Sequence, residues 1–146
     1  MSKFFSSRLF NQFCAGCLLI QSIFVPSPVL AAQRSQPKVV VYAVLFYSPY
    51  CDHCHYVITE TLPPLYEQYG EQLQILAVDT TQEAGYYLFV ATLQKFNLER
   101  GGVPFMVIGD QYLVGSADIP AQFPGLVADH LALGGIGWPE IPGLGE

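Results

Sequence analysis

The distribution of apolar and polar positions divides the chain into elements before any chemistry is considered. Residues 33–37 are polar, and residues 39–47 (VVVYAVLFY) form an unbroken apolar, β-branched and aromatic run. A run of that length bounded by a breaker predicts a strand buried on both faces. Ser48-Pro49-Tyr50 ends it, and a helical pattern starts near Cys51 and passes through Val57, Ile58 and Leu62. Pro63-Pro64 is expected to kink or interrupt that helix, residues 65–69 to continue it, and Gly70 to stop it. A short second strand follows at residues 74–78. Asp79-Thr80-Thr81 is the expected cap of the next helix, residues 84–96, with Glu83 in its first turn. Apolar residues on nearly every face of this helix predict that it is buried or lines a groove.

Beyond a loop at 97–102, residues 104–108 and 111–114 flank Gly109-Asp110 and predict an antiparallel hairpin. A last helical region, 120–133, is expected to be interrupted near Pro124 and closed by Gly134-Gly135. The tail, 134–146, is rich in glycine and proline and is expected to be extended. Strands alternate with helices and the chain then closes with a hairpin and a helix. That order suits a mixed central sheet covered on both faces.

Residues 1–32 follow a different pattern. Lys3 and Arg8 give a positive start, residues 13–25 are mostly apolar, and Val29-Leu30-Ala31-Ala32 supplies small residues. This charged–apolar–small order is that of a secretory signal peptide cleaved after Ala31 or Ala32. A retained membrane anchor through residues 13–25 is the alternative. The run is short of the roughly 20 residues a spanning helix needs, contains Gln21 and Ser22, and is followed by Pro26 and Pro28. Cys14 and Cys17 also spell C-x-x-C, but an apolar export segment gives them no redox or metal context.

Composition sharpens this picture. At 146 residues, with 51% hydrophobic content, the chain can bury one core and is not a disordered polymer. Six basic residues face 12 acidic ones, with no basic cluster, which excludes a nucleic-acid partner. Without the leader the basic residues are Arg34, Lys38, Lys95 and Arg100, so the remaining chain is more acidic than the overall −6. Two cysteines then remain, Cys51 and Cys54. Closing so small a loop yields little chain entropy, so chemistry explains the pair better than stapling.

A buried strand followed by a turn places Cys51-Asp52-His53-Cys54 at the carboxyl end of a sheet and the amino end of a helix. Free N–H groups and the helix dipole there favour an anion, so a cysteine is readily held as its thiolate. Cys51, nearer the helix start, is the expected attacking thiolate. Cys54, one turn on, is the expected resolving thiol.

Phe46-Tyr47-Ser48-Pro49-Tyr50-Cys51-Asp52-His53-Cys54 resembles the active-site segment of the thioredoxin superfamily, and Gly101-Gly102-Val103-Pro104-Phe105 resembles the loop that carries its cis-proline. The resemblance covers about residues 38–133. It implies a thioredoxin-like three-layer α/β/α sandwich with a mixed central sheet. It also implies a cis Val103–Pro104 bond and pairing of the Val103 backbone with an extended substrate. His53 precedes the second cysteine as in DsbA-type oxidases, where it stabilises the reduced form and strengthens the oxidant. Asp52 departs from the family pattern. Its carboxylate either disfavours the Cys51 thiolate or acts as a favourable charge at the helix start, so redox direction stays open. Leu45 stands where many relatives carry a buried acid, leaving His55, Glu60 or a water as proton acceptors for Cys54.

Other residues receive plainer readings. Tyr50 is expected to shield the disulfide, and His55 to be a solvated helix residue. Tyr86, Tyr87 and Phe89 are read as packing residues, His130 as an exposed structural residue, and Trp138 as an anchor for the tail. The resulting expectation is an exported thiol–disulfide oxidoreductase, in a periplasm, lumen or extracellular space. It exchanges disulfides with protein cysteines, with oxidation or exchange favoured over reduction. It needs no cofactor beyond the Cys51–Cys54 disulfide, and a membrane partner, quinone-linked by family habit, re-oxidises it. The competing readings are a copper or zinc module using Cys51, His53, Cys54 and His55, a reductase of exported disulfides, and a non-catalytic interaction domain.

Overall fold

The computed structural model describes residues 38–145, so the leader, the polar segment at 33–37, and Cys14 and Cys17 lie outside the described residues. The buried run forms β1 (Val41–Tyr47), one of the two inner strands of the sheet. One edge of β1 pairs in parallel with β2 (Leu73–Asp79), Val41 opposite Leu73 and Tyr47 opposite Asp79. Its other edge pairs antiparallel with β3 (Phe105–Ile108), which forms a hairpin with β4 (Gln111–Val114). The sheet order is therefore β2-β1-β3-β4. Gly109, at φ +54°, makes the hairpin turn in a conformation that a side chain would strain.

Alternation along β1 builds two cores. Val41, Ala43 and Leu45 point to one face, where they meet Val57, Leu62, Leu65, Ile119, Phe123 and Val127. Val44 and Phe46 point to the other and meet Phe89, Phe105, Val107 and Ile141. The first face is covered by α1 (Asp52–Tyr56), α2 (Leu62–Tyr69) and α4 (Gly115–Ala132), the second by α3 (Glu83–Lys95) and the C-terminal tail. This is the expected thioredoxin-like α/β/α sandwich with a mixed sheet. No helix among the described residues is long and apolar enough to cross a membrane.

Several local expectations are corrected. The interruption expected at Pro63-Pro64 falls just before them. A π-helical segment, Val57–Thr61, separates α1 from α2, and Leu62 N–H reaches back to the Val57 carbonyl. The prolines then occupy the start of α2, where missing N–H groups matter least. The last helix begins at Gly115, not at residue 120, and runs unbroken through Pro120 and Pro124. Asp79 does not cap α3. Its carboxylate accepts from Thr81 N–H (2.8 Å) and Thr81 Oγ1 (2.7 Å), and these bonds hold its pKa below the usual value, while Gln82 is the residue at the cap.

The tail is docked on the sheet, with Trp138 as the anchor expected of it. Beyond Gly134 and Gly135, both at positive φ, Ile136 pairs with the start of β1 through Tyr42 N–H (3.0 Å) and the Val40 carbonyl (2.9 Å). This fills the edge of β1 that β3, which reaches only to Ala43, leaves free. Trp138 then packs on Tyr42 with ring centroids 4.7 Å apart, and Ile141 enters the second core. His130 is half-buried, not exposed, and its carbonyl accepts from Gly135 N–H at 2.8 Å.

Candidate active site

The carboxyl end of β1 is pinned before it turns. Thr80, just beyond β2, directs both its N–H (2.9 Å) and its Oγ1 (3.0 Å) to the Tyr47 carbonyl. The chain then turns at Ser48-Pro49-Tyr50, with Cys51 N–H on the Ser48 carbonyl (3.2 Å) and Tyr50 N–H on Ser48 Oγ (3.2 Å). Cys51 is the cap of α1, in extended conformation at φ −109°, ψ 113°. Its sulfur accepts from Cys54 N–H at 3.3 Å, the role a serine or aspartate oxygen ordinarily fills at a helix start.

The two thiols have different surroundings. Cys51 is half-buried, whereas Cys54 is 1% exposed. Burial, and after it the hydrogen bond and charge of Cys51, push the Cys54 thiol up to about 12, with the Ser48 backbone N–H opposing them. Leu45 is fully buried in the core layer beneath α1 and α2. The geometry thus puts one accessible sulfur at the surface and a protonated thiol behind it.

The Val103–Pro104 loop lies against this pair. Its peptide bond is cis, and the Cys51 thiol donates to the Val103 carbonyl at 3.5 Å. Pro104 is buried, and its own carbonyl accepts from Gly115 N–H at 2.8 Å, tying the loop to the start of α4. Beside the loop, Tyr86, Phe89, Leu93, Leu98, Arg100 and Gly101 line an open groove of about 590 Å³. A smaller hollow of about 250 Å³ on the other flank holds Cys51 and His55 together with Tyr47, Pro49 and Ile58.

The remaining candidates divide. His53 shares a 2.9 Å hydrogen bond between Nδ1 and Ser116 Oγ. Asp52 is exposed in the first turn of α1, and Glu60 is exposed in the π segment with a bond from Thr59 Oγ1. Tyr50 does not shield the cysteines, because it stands 88% exposed in solvent. Phe89 packs as expected, but Tyr86 and Tyr87 are exposed and touch each other edge to face. His55 is exposed, yet it lines the same hollow as Cys51.

Ser116 was not a sequence candidate, and Thr80 entered only as part of an expected helix cap. Gly115-Ser116 reads as a turn in the linear sequence, and nothing local marks either hydroxyl as a partner of a distant segment. Among the described residues, no three His, Cys, Asp or Glu side chains converge where a metal ion could sit, so the copper or zinc reading gains no support.

No protein-family model and no curated protein matches the chain. Among solved structures it is similar to thioredoxin O2 of Arabidopsis thaliana in the oxidised state, at 16% identity over 62% of this chain and 75% of that one, TM-score 0.44. Deadhead, a germline-specific thioredoxin of Drosophila melanogaster, is similar at 16% identity over 62% and 81%, TM-score 0.41. Thioredoxin-2 of the malaria parasite, described as a component of its protein secretion machinery, is similar at 18% identity over 62% and 84%, TM-score 0.42. Likeness of this order concerns the fold alone, which the sheet order and layers already define.

Proposed function

We propose that the protein is an exported thiol–disulfide oxidoreductase acting on protein cysteines. The observation that carries the reading is the position of Cys51 Sγ, between Cys54 N–H and the Val103 carbonyl, with Cys54 buried behind it. In the oxidising direction a substrate thiolate attacks Cys51 Sγ, the Cys51–Cys54 bond breaks, and Cys54 leaves with the electron pair and takes up a proton. A second substrate thiolate then attacks the substrate sulfur of the mixed disulfide and releases Cys51. Two electrons pass from the substrate thiols to the protein, and the substrate gains one disulfide. The reductive direction is the same sequence reversed, with Cys51 attacking.

Oxidation or exchange is the favoured direction. His53 beside Cys51 stabilises the reduced form, and exported compartments are oxidising. The redox group is the cysteine pair itself, so no further cofactor is called for. A membrane-bound, quinone-linked partner would accept the two electrons and restore the disulfide. Extended substrate would lie along Val103, with its flanking side chains in the groove formed by Phe89, Leu93 and Leu98. Residues 1–32 supply the export signal in this reading, which the intact mass of the exported chain checks through cleavage after Ala31 or Ala32.

Insulin reduction and oxidative refolding of a reduced substrate test the activity. Both should be lost in Cys51→Ser, and equal rates in wild type and variant would sink the reading. Equilibration with glutathione then sets the direction. A reduction potential near that of thioredoxin, about −270 mV, would make the protein a reductase.

A further inference from the structure

The hydrogen bond between His53 Nδ1 and Ser116 Oγ joins residues 63 positions apart and belongs to a closed circuit. Cys51 Sγ–H donates to the Val103 carbonyl, the next carbonyl along, that of Pro104, accepts from Gly115 N–H, and Ser116 returns to His53, two residues from Cys51. The circuit therefore links three segments: the start of α1, the Val103–Pro104 loop and the start of α4. Gly115 makes the corner. At φ +85° it adopts the left-handed conformation that a side chain would strain, and Ser116 follows it directly into α4.

A serine in the first turn of a helix ordinarily turns its hydroxyl on its own backbone. The Ser116 hydroxyl instead bonds the His53 imidazole of another segment. His53 is itself exposed, and Ser116 is its only side-chain partner among the described residues. An exposed imidazole without that partner would sample several χ1 rotamers. A hydroxyl both donates and accepts. It can give its proton to Nδ1 of the neutral ring, and accept the Nδ1 proton when the ring is charged. The position of the ring is thus held in both protonation states.

We infer that Ser116 is a positioning residue that holds the His53 imidazole in place beside the Cys51–Cys54 pair and thereby sets the balance between dithiol and disulfide. This deepens the oxidoreductase reading and rests on it. Ser116 touches neither sulfur and acts only through His53. Removing the hydroxyl frees the ring, weakens its stabilisation of the reduced pair, and moves the equilibrium toward the disulfide.

The test uses the wild-type protein, Ser116→Ala and Ser116→Thr, with two readouts. The first is the χ1 rotamer of His53, from three-bond couplings in NMR. The second is the dithiol–disulfide equilibrium against glutathione. Wild type and Ser116→Thr should hold one rotamer. Ser116→Ala should average over several and favour the disulfide by roughly 3- to 10-fold, the worth of one net hydrogen bond. A single rotamer retained in Ser116→Ala, or an unchanged equilibrium, would overturn the inference. So would equal shifts in the alanine and threonine variants, because the hydroxyl would then not be the agent. The rotamer measurement needs no turnover, so inertness of the wild type toward protein disulfides would remove the oxidoreductase reading and leave the positioning result standing.

Discussion

The thiol of Cys51 donates to the carbonyl oxygen of Val103, 52 positions further along the chain, at 3.5 Å. That carbonyl is engaged only while Cys51 carries its proton. As the thiolate, or once bonded to another sulfur, Cys51 has no proton to give, and the Val103 oxygen loses this partner. The Val103 oxygen is therefore released by loss of the Cys51 proton, before any mixed disulfide forms.

The difference in burial between the cysteines predicts which one can be trapped. Cys54→Ser keeps the accessible sulfur and removes the thiol that would release it. This variant should accumulate mixed disulfides with protein substrates through Cys51, seen as reducible adducts on non-reducing gels and by mass spectrometry. Cys51→Ser should form none. Adducts on Cys54 in the Cys51→Ser variant would show that the buried sulfur is reachable and would reverse the assignment of attacking and resolving thiols.

The raised pKa of Cys54, about 12, has consequences for reactivity and for stability. Near pH 8, of the pair Cys51 and Cys54 in the reduced protein, iodoacetamide should modify Cys51 in the folded state and Cys54 only on unfolding, read by peptide mass. The folded state holds the Cys54 proton more tightly than the unfolded state does. The resulting stability is therefore present in full below about pH 9, the ordinary thiol value, and lost as pH rises toward 12. Burial raises Tyr66 as well, which adds loss in the same direction. Urea midpoints of the reduced protein should fall more steeply with alkalinity in wild type than in Cys54→Ala. Parallel profiles would remove Cys54 as the cause.

How much of this was legible in the sequence follows from what is local. The run that became β1 has no polar interruption, and Gly109-Asp110 sits between two apolar segments, so strand and hairpin could be read directly. The cysteine pair and Val103-Pro104 were likewise visible as motifs. The start of α4 was hidden because Gly115 resembles a turn residue and Pro120 and Pro124 resemble breakers. Packing of Ile119, Phe123 and Val127 against the sheet holds the helix through them. The exposure of Tyr50, the bond between Ser116 and His53, and the pinning of Tyr47 by Thr80 depend on how separate segments meet, and no local pattern encodes that.

Gly85 sits where α3 packs against the end of β2. A Cβ there would collide with the Asp79 carbonyl oxygen and press on Val78. The obstruction is backbone at the end of a paired strand, which cannot rotate away as a side chain could. Gly85→Ala should therefore destabilise the protein by about 1–3 kcal/mol, the usual cost of overpacking, despite the better helix propensity of alanine. Chemical denaturation measures it. A gain in stability would mean that α3 can slide along the sheet.

The tail supplies a core residue, and its contribution can be separated from the redox site. Ile141 is 5% exposed and closes the second core beside Phe89 and Phe105, with Leu144 packed behind it. Truncating a buried isoleucine removes its transfer free energy and leaves a cavity, so Ile141→Ala should cost about 2–4 kcal/mol. Trp138 is 46% exposed and packs at a tilt on Tyr42 alone among the described aromatic rings, so Trp138→Ala should cost less, about 1 kcal/mol. Neither residue lines the groove or the hollow beside Cys51. Well below the melting temperature, both variants should exchange disulfides at the wild-type rate. Urea unfolding and an insulin assay on the same preparations check the pair of statements. A change under 0.5 kcal/mol for Ile141→Ala would show the tail to be an appendage, and a lowered exchange rate with stability intact would place it in the substrate path.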